Sequence, residues 1–220
     1  MTVWQLLRQL PDNSVDLVLT DPPYGIDYQS AWRTDRSQWK PKILNDKKPF
    51  LAFIPELRRV LKPTGCAMIF TRWDVQQAFI DEMERSGLRV RSVLIWDKLA
   101  HSMGDLKRAY GSRYESILFH SGDGFHFPGK RPQDVIACPR VAPNKLVHPN
   151  EKPVELLETL ISQVTAGGDL VLDTCMGSGS TGVASVNIGR SFIGMELSDD
   201  YFDIASNRIQ AAYEAALDDF

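Results

Sequence analysis

Two kinds of segment alternate along this chain, and they differ in how their apolar and polar positions are spaced. Short runs of Val, Leu, Ile and Phe are typical of buried strands, whereas apolar residues three or four positions apart are typical of helices that cover a core. The short runs predict strands at residues 14–20, 66–71, 90–96, 116–120, 170–173 and 191–195. The longer stretches predict helices at residues 50–61, 74–86, 154–164, 180–188 and 199–217. This alternation predicts an α/β fold with a doubly wound, mostly parallel sheet.

Three stretches interrupt the alternation, at residues 25–49, 98–113 and 121–149. They are polar, rich in proline, glycine and basic residues, and too long for ordinary connections within a domain. The chain has 220 residues, 43% of them hydrophobic, which is enough for one well-buried core. We therefore expect a single domain over residues 1–220, with inserted segments at 25–49 and 98–149 that carry function.

Composition excludes several classes of protein. The longest apolar runs have the length of a strand, far below the roughly 20 residues of a membrane helix, and no segment resembles an export signal. The three cysteines, Cys66, Cys138 and Cys175, are an odd number at wide spacing, which favours neither disulfides nor a zinc site. These features predict a protein of the reducing cytoplasm, without a membrane partner or a bound metal.

Charge is unevenly distributed, although the net charge is only −3. Residues 33–48 hold six basic and two acidic side chains, a net charge of +4. Residues 196–220 hold seven acidic side chains and one arginine, a net charge of −6. Because phosphate contacts are local, a positive segment can hold nucleic acid in a protein that is acidic overall.

The sequence Asp21-Pro22-Pro23-Tyr24 directly follows the first predicted strand, and the carboxyl ends of strands are where α/β sheets hold ligands. Two prolines leave carbonyl acceptors without amide donors, and Asp21 adds a carboxylate acceptor. The set suits a planar ring with an amino group: Asp21 and the Pro22 carbonyl can accept its two hydrogens while Tyr24 stacks on the ring. For Asp-Pro-Pro alone, a strand-ending turn would be the better interpretation; Tyr24 and the second motif below favour the functional one.

A second motif, residues 170–181, joins a predicted strand to a helix through a glycine-rich turn. Such a turn brings a ligand against backbone amides at a helix N-terminus. Glu196 ends the next predicted strand, where it can accept hydrogen bonds from ribose hydroxyls. Residues 177–182 also match the dinucleotide fingerprint G-x-G-x-x-G, which keeps a nicotinamide enzyme open as an alternative. That alternative leaves residues 21–24 without a role.

The two motifs together resemble the amino-methyltransferases of DNA. Their order is similar to the circularly permuted β-class of adenine and N4-cytosine methyltransferases: Asp-Pro-Pro-Tyr comes first, a recognition region follows, and the glycine-rich motif comes last. The run His148-Pro149-Asn150-Glu151-Lys152-Pro153 resembles the His-Pro-x-x-Lys-Pro segment of that class. The resemblance covers nearly the whole chain. It implies a Rossmann-like methyltransferase sheet, S-adenosylmethionine as methyl donor, and double-stranded DNA whose target base is flipped into the pocket.

The resemblance also implies roles for single positions of this sequence. The catalytic positions match Asp21, Pro22, Pro23 and Tyr24. The cofactor-binding positions match Asp173, Thr174, Cys175, Gly177, Gly179, Ser180, Thr181 and Glu196, with His148 and Lys152 beside them. Within this family an aspartate at the first catalytic position mostly accompanies adenine. The implied activity is therefore site-specific methylation of adenine N6, as in restriction–modification.

Three alternatives stay open. They are methylation of cytosine N4, a DNA- or cofactor-binding relative without activity, and methyl transfer to an amine of RNA or of a protein glutamine. Enzymes of that last group more often carry Asn-Pro-Pro-Tyr and lack the permuted order. Methylation of a ring carbon needs a nucleophilic cysteine, and Cys175 belongs to the proposed cofactor loop.

The basic segment interleaves two tryptophans with cations. We expect it to bind DNA, because cations can meet phosphates and an aromatic ring can fill the gap that a flipped base leaves. The candidates are Trp32, Arg33, Arg36, Trp39, Lys40 and Lys42. A solvated loop with locally packed tryptophans is the alternative. The recognition element should lie within residues 121–149, whose small size implies a short site or a partner subunit, such as a second copy of the chain.

The start of the chain departs from the family pattern. Family members usually carry a strand that ends in Gly-Asp before this position, and the aspartate lies near the cofactor adenine. Met1-Thr2 stand there in this sequence. We expect that the chain starts late, that a partner covers the gap, or that the cofactor binds weakly.

Overall fold

The structure is a computed structural model, and it describes residues 2–25, 48–101, 107–142, 144, 146–148 and 150–218. Its strands are β1 (Val15–Thr20), β2 (Leu61–Thr71), β3 (Val90–Asp97), β4 (Tyr114–Ser121), β5 (Val135–Ala137), β6 (Leu170–Asp173) and β7 (Ser191–Gly194). Its helices are α1 (Val3–Leu7), α2 (Ile54–Val60), α3 (Gln76–Arg85), α4 (Val154–Val164), α5 (Ser180–Asn187) and α6 (Asp199–Asp218). Within the described ranges, no helix has the length and apolar content to cross a bilayer.

The seven strands form one sheet in the order β5-β3-β4-β2-β1-β6-β7. The pairs β1–β2, β1–β6, β6–β7 and β3–β5 are parallel, whereas β4 is antiparallel to both β2 and β3. The predicted α/β fold with a mostly parallel, Rossmann-like sheet is therefore confirmed. Strand β4 is the exception, and the hydrophobic pattern could not reveal its direction because a buried strand reads alike both ways.

The middle of the sheet forms the core. Val15, Leu17, Val18 and Leu19 of β1 have no exposed surface, because β1 has strand neighbours on both sides and α4 packs against it. Two groups of helices complete the burial. Helix α2 contacts α1 and α3 beside β2 and β3, and helix α5 contacts α4 and α6 beside β1, β6 and β7. This arrangement leaves the carboxyl ends of β1, β6 and β7 available for a site.

Strand β2 begins earlier than the sequence predicts. The stop signal at residues 62–65 ends α2 as expected, but the chain continues directly as a strand from Leu61. Leu61 pairs with Val15 and Cys66 pairs with Leu17, so the intervening residues form an irregularity in the strand. Gly122 donates its backbone N–H to Gly65 at 2.9 Å, which ties the end of β4 to this irregularity.

The segment 121–149 is partly built into the fold. It contains β5, which is only three residues long and was not predicted. Phe125 and Phe127 pack with Phe119 of β4, with ring centroids 5.1 to 6.2 Å apart. These aromatic contacts anchor the early part of the segment to the sheet. Helix α1 was also not predicted, since five residues are too few to show helical periodicity.

Candidate active site

An open cavity of about 250 Å³ lies at the carboxyl ends of β1, β6 and β7. Its walls come from three parts of the chain that are far apart in sequence: the turn after β1, the segment before α4, and the loops after β6 and β7. The predicted site residues in its lining are Asp21, Pro22, Pro23, His148, Lys152, Asp173, Thr174, Cys175, Gly177, Ser180, Thr181 and Glu196. The fold thus brings the two sequence motifs and the His-Pro-x-x-Lys-Pro segment to one place.

Asp21 stands at one end of this cavity, directly after β1. Its carboxylate accepts hydrogen bonds from the Tyr24 hydroxyl on one oxygen and from the Lys152 ammonium on the other. Tyr24 is buried behind Asp21 and does not line the cavity. Burial raises the pKa of Asp21 above its ordinary value, and the Lys152 ammonium acts in the opposite direction. Both partners of this carboxylate are side chains that can rotate away.

The two prolines after Asp21 differ in their hydrogen bonding. The Pro23 carbonyl accepts from the Phe50 backbone N–H at 3.0 Å. The Pro22 carbonyl has no hydrogen-bond partner among the residues that the structure describes. Since Pro22 and Asp21 both line the cavity, a carbonyl and a carboxylate acceptor face the same space. Such a pair can receive both hydrogens of an amino group.

Lys152 belongs to a wider group of ion pairs. Its ammonium lies 3.2 Å from Glu115 Oε2 and 5.0 Å from the centre of the Phe70 ring. The second oxygen of Glu115 accepts from Lys98. Burial alone would lower the pKa of Lys152, but Asp21 and Glu115 together raise it above its ordinary value. Burial alone would raise the pKa of Glu115, but Lys152 and Lys98 hold it below its ordinary value. Glu115 was not predicted as a site residue, because a lone glutamate within a strand carries no motif.

Asp173 lies at the other end of the cavity, where β6 stops. It accepts from the Thr181 hydroxyl at 2.6 Å and from the Cys175 backbone N–H at 3.0 Å. Burial raises its pKa to about 6. The hydroxyls of Thr20 and Thr174 lie 3.0 Å apart and join β1 to this loop. Burial also raises the pKa of the Cys175 thiol far above its ordinary value, which keeps the thiol protonated.

Glu196 follows β7, and its donors among the described residues are backbone N–H groups. It accepts from the N–H groups of Gly177 at 2.9 Å, Leu197 at 2.8 Å and Ser198 at 2.9 Å. A carboxylate offers about four lone-pair positions, so Glu196 keeps acceptor capacity towards the cavity. This donor set fixes the carboxylate before any ligand arrives.

The glycine-rich turn owes its shape to two residues with positive φ. Gly177 has a φ of +51° and Gly179 a φ of +82°. Gly179 does not line the cavity but precedes α5, and a Cβ there would lie 2.8 Å from the Cβ of Ala205 in α6. Gly179 is therefore required for helix packing, whereas Gly177 presents its backbone to the site.

Several residues of the cavity carried no sequence signal. Val3 of α1 and Phe50 supply apolar wall. Tyr201 contacts the His148 ring edge-on, with centroids 4.5 Å apart. Arg208 of α6 donates to Glu151 and to the Ser178 carbonyl, both at 2.8 Å, and so braces the loop from behind. These residues were not predicted, because they are separated in sequence from the motifs.

The predicted DNA-binding residues Trp32, Arg33, Arg36, Trp39, Lys40 and Lys42 lie outside the described residues. Among the described residues, no group of three or more His, Cys, Asp or Glu side chains could hold a metal ion.

The cavity's charge suits a cationic methyl donor. Five carboxylates line it, Asp21, Glu151, Asp173, Glu196 and Asp200, and Lys152 is the one lysine or arginine among the described lining residues. A sulfonium is positively charged, the ribose of its adenosine needs hydrogen-bond acceptors, and the apolar wall suits its adenine. The residues present therefore fit S-adenosylmethionine.

Comparison with known proteins agrees with this geometry. Residues 15–207 match the model of a DNA methylase family, that of the N6 and N4 methyltransferases. The Escherichia coli (strain K12) protein YubD is 31% identical over 96% of this chain and 88% of its own length. DNA adenine methyltransferase YhdJ of the same organism is 29% identical over 94% of this chain and 80% of its own.

Solved structures show the same fold. The M1.HpyAVI–SAM complex is 26% identical, with a TM-score of 0.69, and the alignment covers 94% of this chain and 95% of that one. The cytosine-N4-specific PvuII DNA methyltransferase has a TM-score of 0.74 at 17% identity, over 99% of this chain and 91% of that one. At that identity the second likeness concerns the fold alone.

Proposed function

This chain belongs to the N6/N4 family of DNA methylases and is a site-specific DNA methyltransferase that uses S-adenosylmethionine, and we propose that its target is N6 of adenine. Two observations support adenine over cytosine N4. The first catalytic position is Asp21, the residue that mostly accompanies adenine in this family. The adenine methyltransferase YhdJ is similar to 94% of this chain. In addition, the partly buried Cys175 thiol, which its raised pKa keeps protonated, is unsuited to attack a cytosine ring carbon.

The observation that carries the proposed reaction is the pair of acceptors at the end of the cavity. Asp21 accepts one hydrogen of the adenine amine, and the Pro22 carbonyl accepts the other. This orients the nitrogen lone pair towards the donor. Tyr24 leaves Asp21 and stacks on the flipped base, and Pro23 stays bound to Phe50 and keeps the turn rigid. The amine loses its surplus proton after transfer, so the chain needs no strong base.

The opposite end of the cavity holds the donor. S-adenosylmethionine supplies an electrophilic methyl group on a cationic sulfur. Glu196 accepts hydrogen bonds from the ribose, and Gly177 lets the ligand approach the backbone. Asp173, Thr174, Cys175, Ser180 and Thr181 form the wall beneath, and His148 closes one side. Lys152 belongs to the Asp21 end, because it lines the cavity and contacts Asp21.

DNA contacts are assigned to the inserted segments of a single domain. Arg33, Arg36, Lys40 and Lys42 meet phosphates, and Trp32 or Trp39 fills the space that the flipped base leaves. The segment 98–149 reads the DNA sequence, and a second copy of the chain is the partner that extends this short recognition surface. These roles rest on residue chemistry and on order along the chain.

The experiment that tests the target offers purified protein and isotope-labelled donor to DNA, RNA and protein in parallel. We expect label in DNA alone, and after enzymatic digestion to nucleosides we expect it in N6-methyldeoxyadenosine. Label in N4-methyldeoxycytidine would replace adenine by cytosine, and label in RNA or protein would refute the proposal.

A further inference from the structure

Glu115 is a partly buried glutamate that lies outside the cavity and contacts Lys152, a residue of its lining. It belongs to β4, the antiparallel strand two positions from β1 in the sheet. One of its oxygens accepts from Lys98. The other is shielded from solvent and lies 3.2 Å from the Lys152 ammonium, without a hydrogen bond of good geometry among the described residues. A buried acceptor with spare capacity is costly unless a charge nearby needs it.

Lys152 supplies that charge. Its side chain is 8% exposed, and its ammonium sits between Asp21 and Glu115, above the face of Phe70. Without Glu115, Asp21 would be the one carboxylate neutralising a buried ammonium. Its oxygens would then be less available to an incoming amine. With Glu115 present, two carboxylates share Lys152, and Lys98 restores neutrality to the group of four.

The charge of Lys152 also matters for the reaction itself. Positive charge develops on the amine nitrogen as its lone pair takes the methyl group. An ammonium beside Asp21 opposes that charge, and a second carboxylate behind the ammonium offsets it. This electrostatic role needs Glu115 at its observed position, on the far side of Lys152 from the cavity.

We propose that Glu115, supported by Lys98, is a positioning residue for methyl transfer: it holds and neutralises Lys152 so that Asp21 can receive the target amine. This inference rests on the role proposed above for Asp21. It assigns a function to the end of β4 that no sequence motif marks. Glu115 acts through Lys152 and does not touch the substrate.

Several charged and titratable groups face this cluster. They are Asp21 and Tyr24 after β1, Arg72 after β2 (which faces Tyr24), Lys98 after β3, Glu115 on β4, Lys152 before α4 and Asp173 at the end of β6. Of these, Asp21 and Glu115 raise the pKa of Lys152. Removing the charge of Glu115 should therefore lower the pKa of Lys152, and the change in kcat that accompanies deprotonation of Lys152 should move to a lower pH in the variant than in the parent.

The test compares Glu115→Gln with a matched control, Asp16→Asn. Asp16 pairs with Lys62 at the start of β1, and its side chain is 18% exposed against 17% for Glu115. We expect Glu115→Gln to lower kcat about 10- to 100-fold, with donor affinity by calorimetry and KM for DNA within about twofold. We expect Glu115→Asp to recover part of that loss, and Asp16→Asn to keep the parent kcat and pH profile.

An equal loss of kcat in Glu115→Gln and Asp16→Asn would overturn the proposal, because it would indicate a general loss of stability. A Glu115→Gln kcat within threefold of the parent, with an unmoved alkaline limb, would also overturn it. If Glu115→Gln does not fold, Lys98→Met decides: a several-fold lower kcat supports the proposal and an unchanged kcat refutes it. A parent that methylates cytosine instead of adenine would overturn the proposed target alone, since both amines would need Asp21.

Discussion

The two ends of the cavity hold their carboxylates in opposite ways. Asp21 is bound by a tyrosine hydroxyl and a lysine ammonium, both on rotatable side chains. Glu196 is bound by three backbone amides, which cannot move without rebuilding the turn. A carboxylate with movable partners can exchange them for a substrate amine, whereas one fixed by the backbone is shaped in advance for its ligand. The contrast supports target exchange at Asp21 and donor binding at Glu196.

Replacing Asp21 with Ala should remove the function of the Asp21 end of the cavity and leave the Glu196 end intact. We expect methyl transfer to be abolished, since the amine loses the acceptor that orients it, while donor affinity stays near that of the parent. Single-turnover transfer and calorimetry measure the two quantities separately. Asp16→Ala, on β1, is the control for loss of a carboxylate outside the cavity. Activity of Asp21→Ala within tenfold of the parent would remove Asp21 from the reaction.

Asp173→Asn tests a third carboxylate of the cavity, at the same end as Glu196, through its effect on stability. The folded state raises the pKa of Asp173 from 3.8 to about 6, so the folded protein binds more protons than the unfolded chain between these pH values. This group's contribution to stability therefore falls as pH rises from about 4 to 6, by about 3 kcal/mol in total. Urea unfolding at pH 4 and pH 7 should show the variant gaining stability relative to the parent at the higher pH. A stability difference between variant and parent that does not change with pH would contradict the raised pKa of the buried Asp173 carboxyl.

Replacing Glu196 with Ala should break the second end alone. We expect donor binding to weaken by roughly 1–3 kcal/mol, the cost of a lost charge-assisted hydrogen bond, with DNA affinity nearly unchanged. Titration calorimetry with S-adenosylmethionine measures the first, and a DNA-binding assay the second. Unaltered donor affinity would mean that Glu196 serves only to hold Gly177, Leu197 and Ser198 in the turn.

The basic segment should add DNA affinity without affecting either end. Neutralising Arg36 and Lys40 together should weaken binding to every DNA sequence alike and lower the slope of log affinity against log salt by nearly one per lost contact. The control neutralises Arg58 and Arg85, exposed on α2 and α3. Trp32→Ala or Trp39→Ala should leave binding close to that of the parent and lower turnover. Salt titrations of the Arg36/Lys40 variant that overlay the parent's would assign these charges to a solvated surface.

Sequence patterns predicted the sheet well because its strands are short, apolar and separated by clear turn signals. Helix α4 and strand β6 have the predicted bounds, and the parallel β1–β6 neighbours bring the two motifs together. The direction of β4 and the existence of β5 come from pairing, which no local pattern encodes. Glu115 was missed for the same reason: its place beside Lys152 depends on that pairing.

The central claim is that this enzyme methylates adenine N6 through Asp21. It is tested most directly by expressing the parent and Asp21→Ala in a host without DNA methyltransferases of its own, then sequencing the genomic DNA by a single-molecule method that detects modified bases. We expect N6-methyladenine in one short sequence context with the parent, and unmodified DNA with the variant. N4-methylcytosine with the parent, or adenine methylation that survives in Asp21→Ala, would contradict the claim.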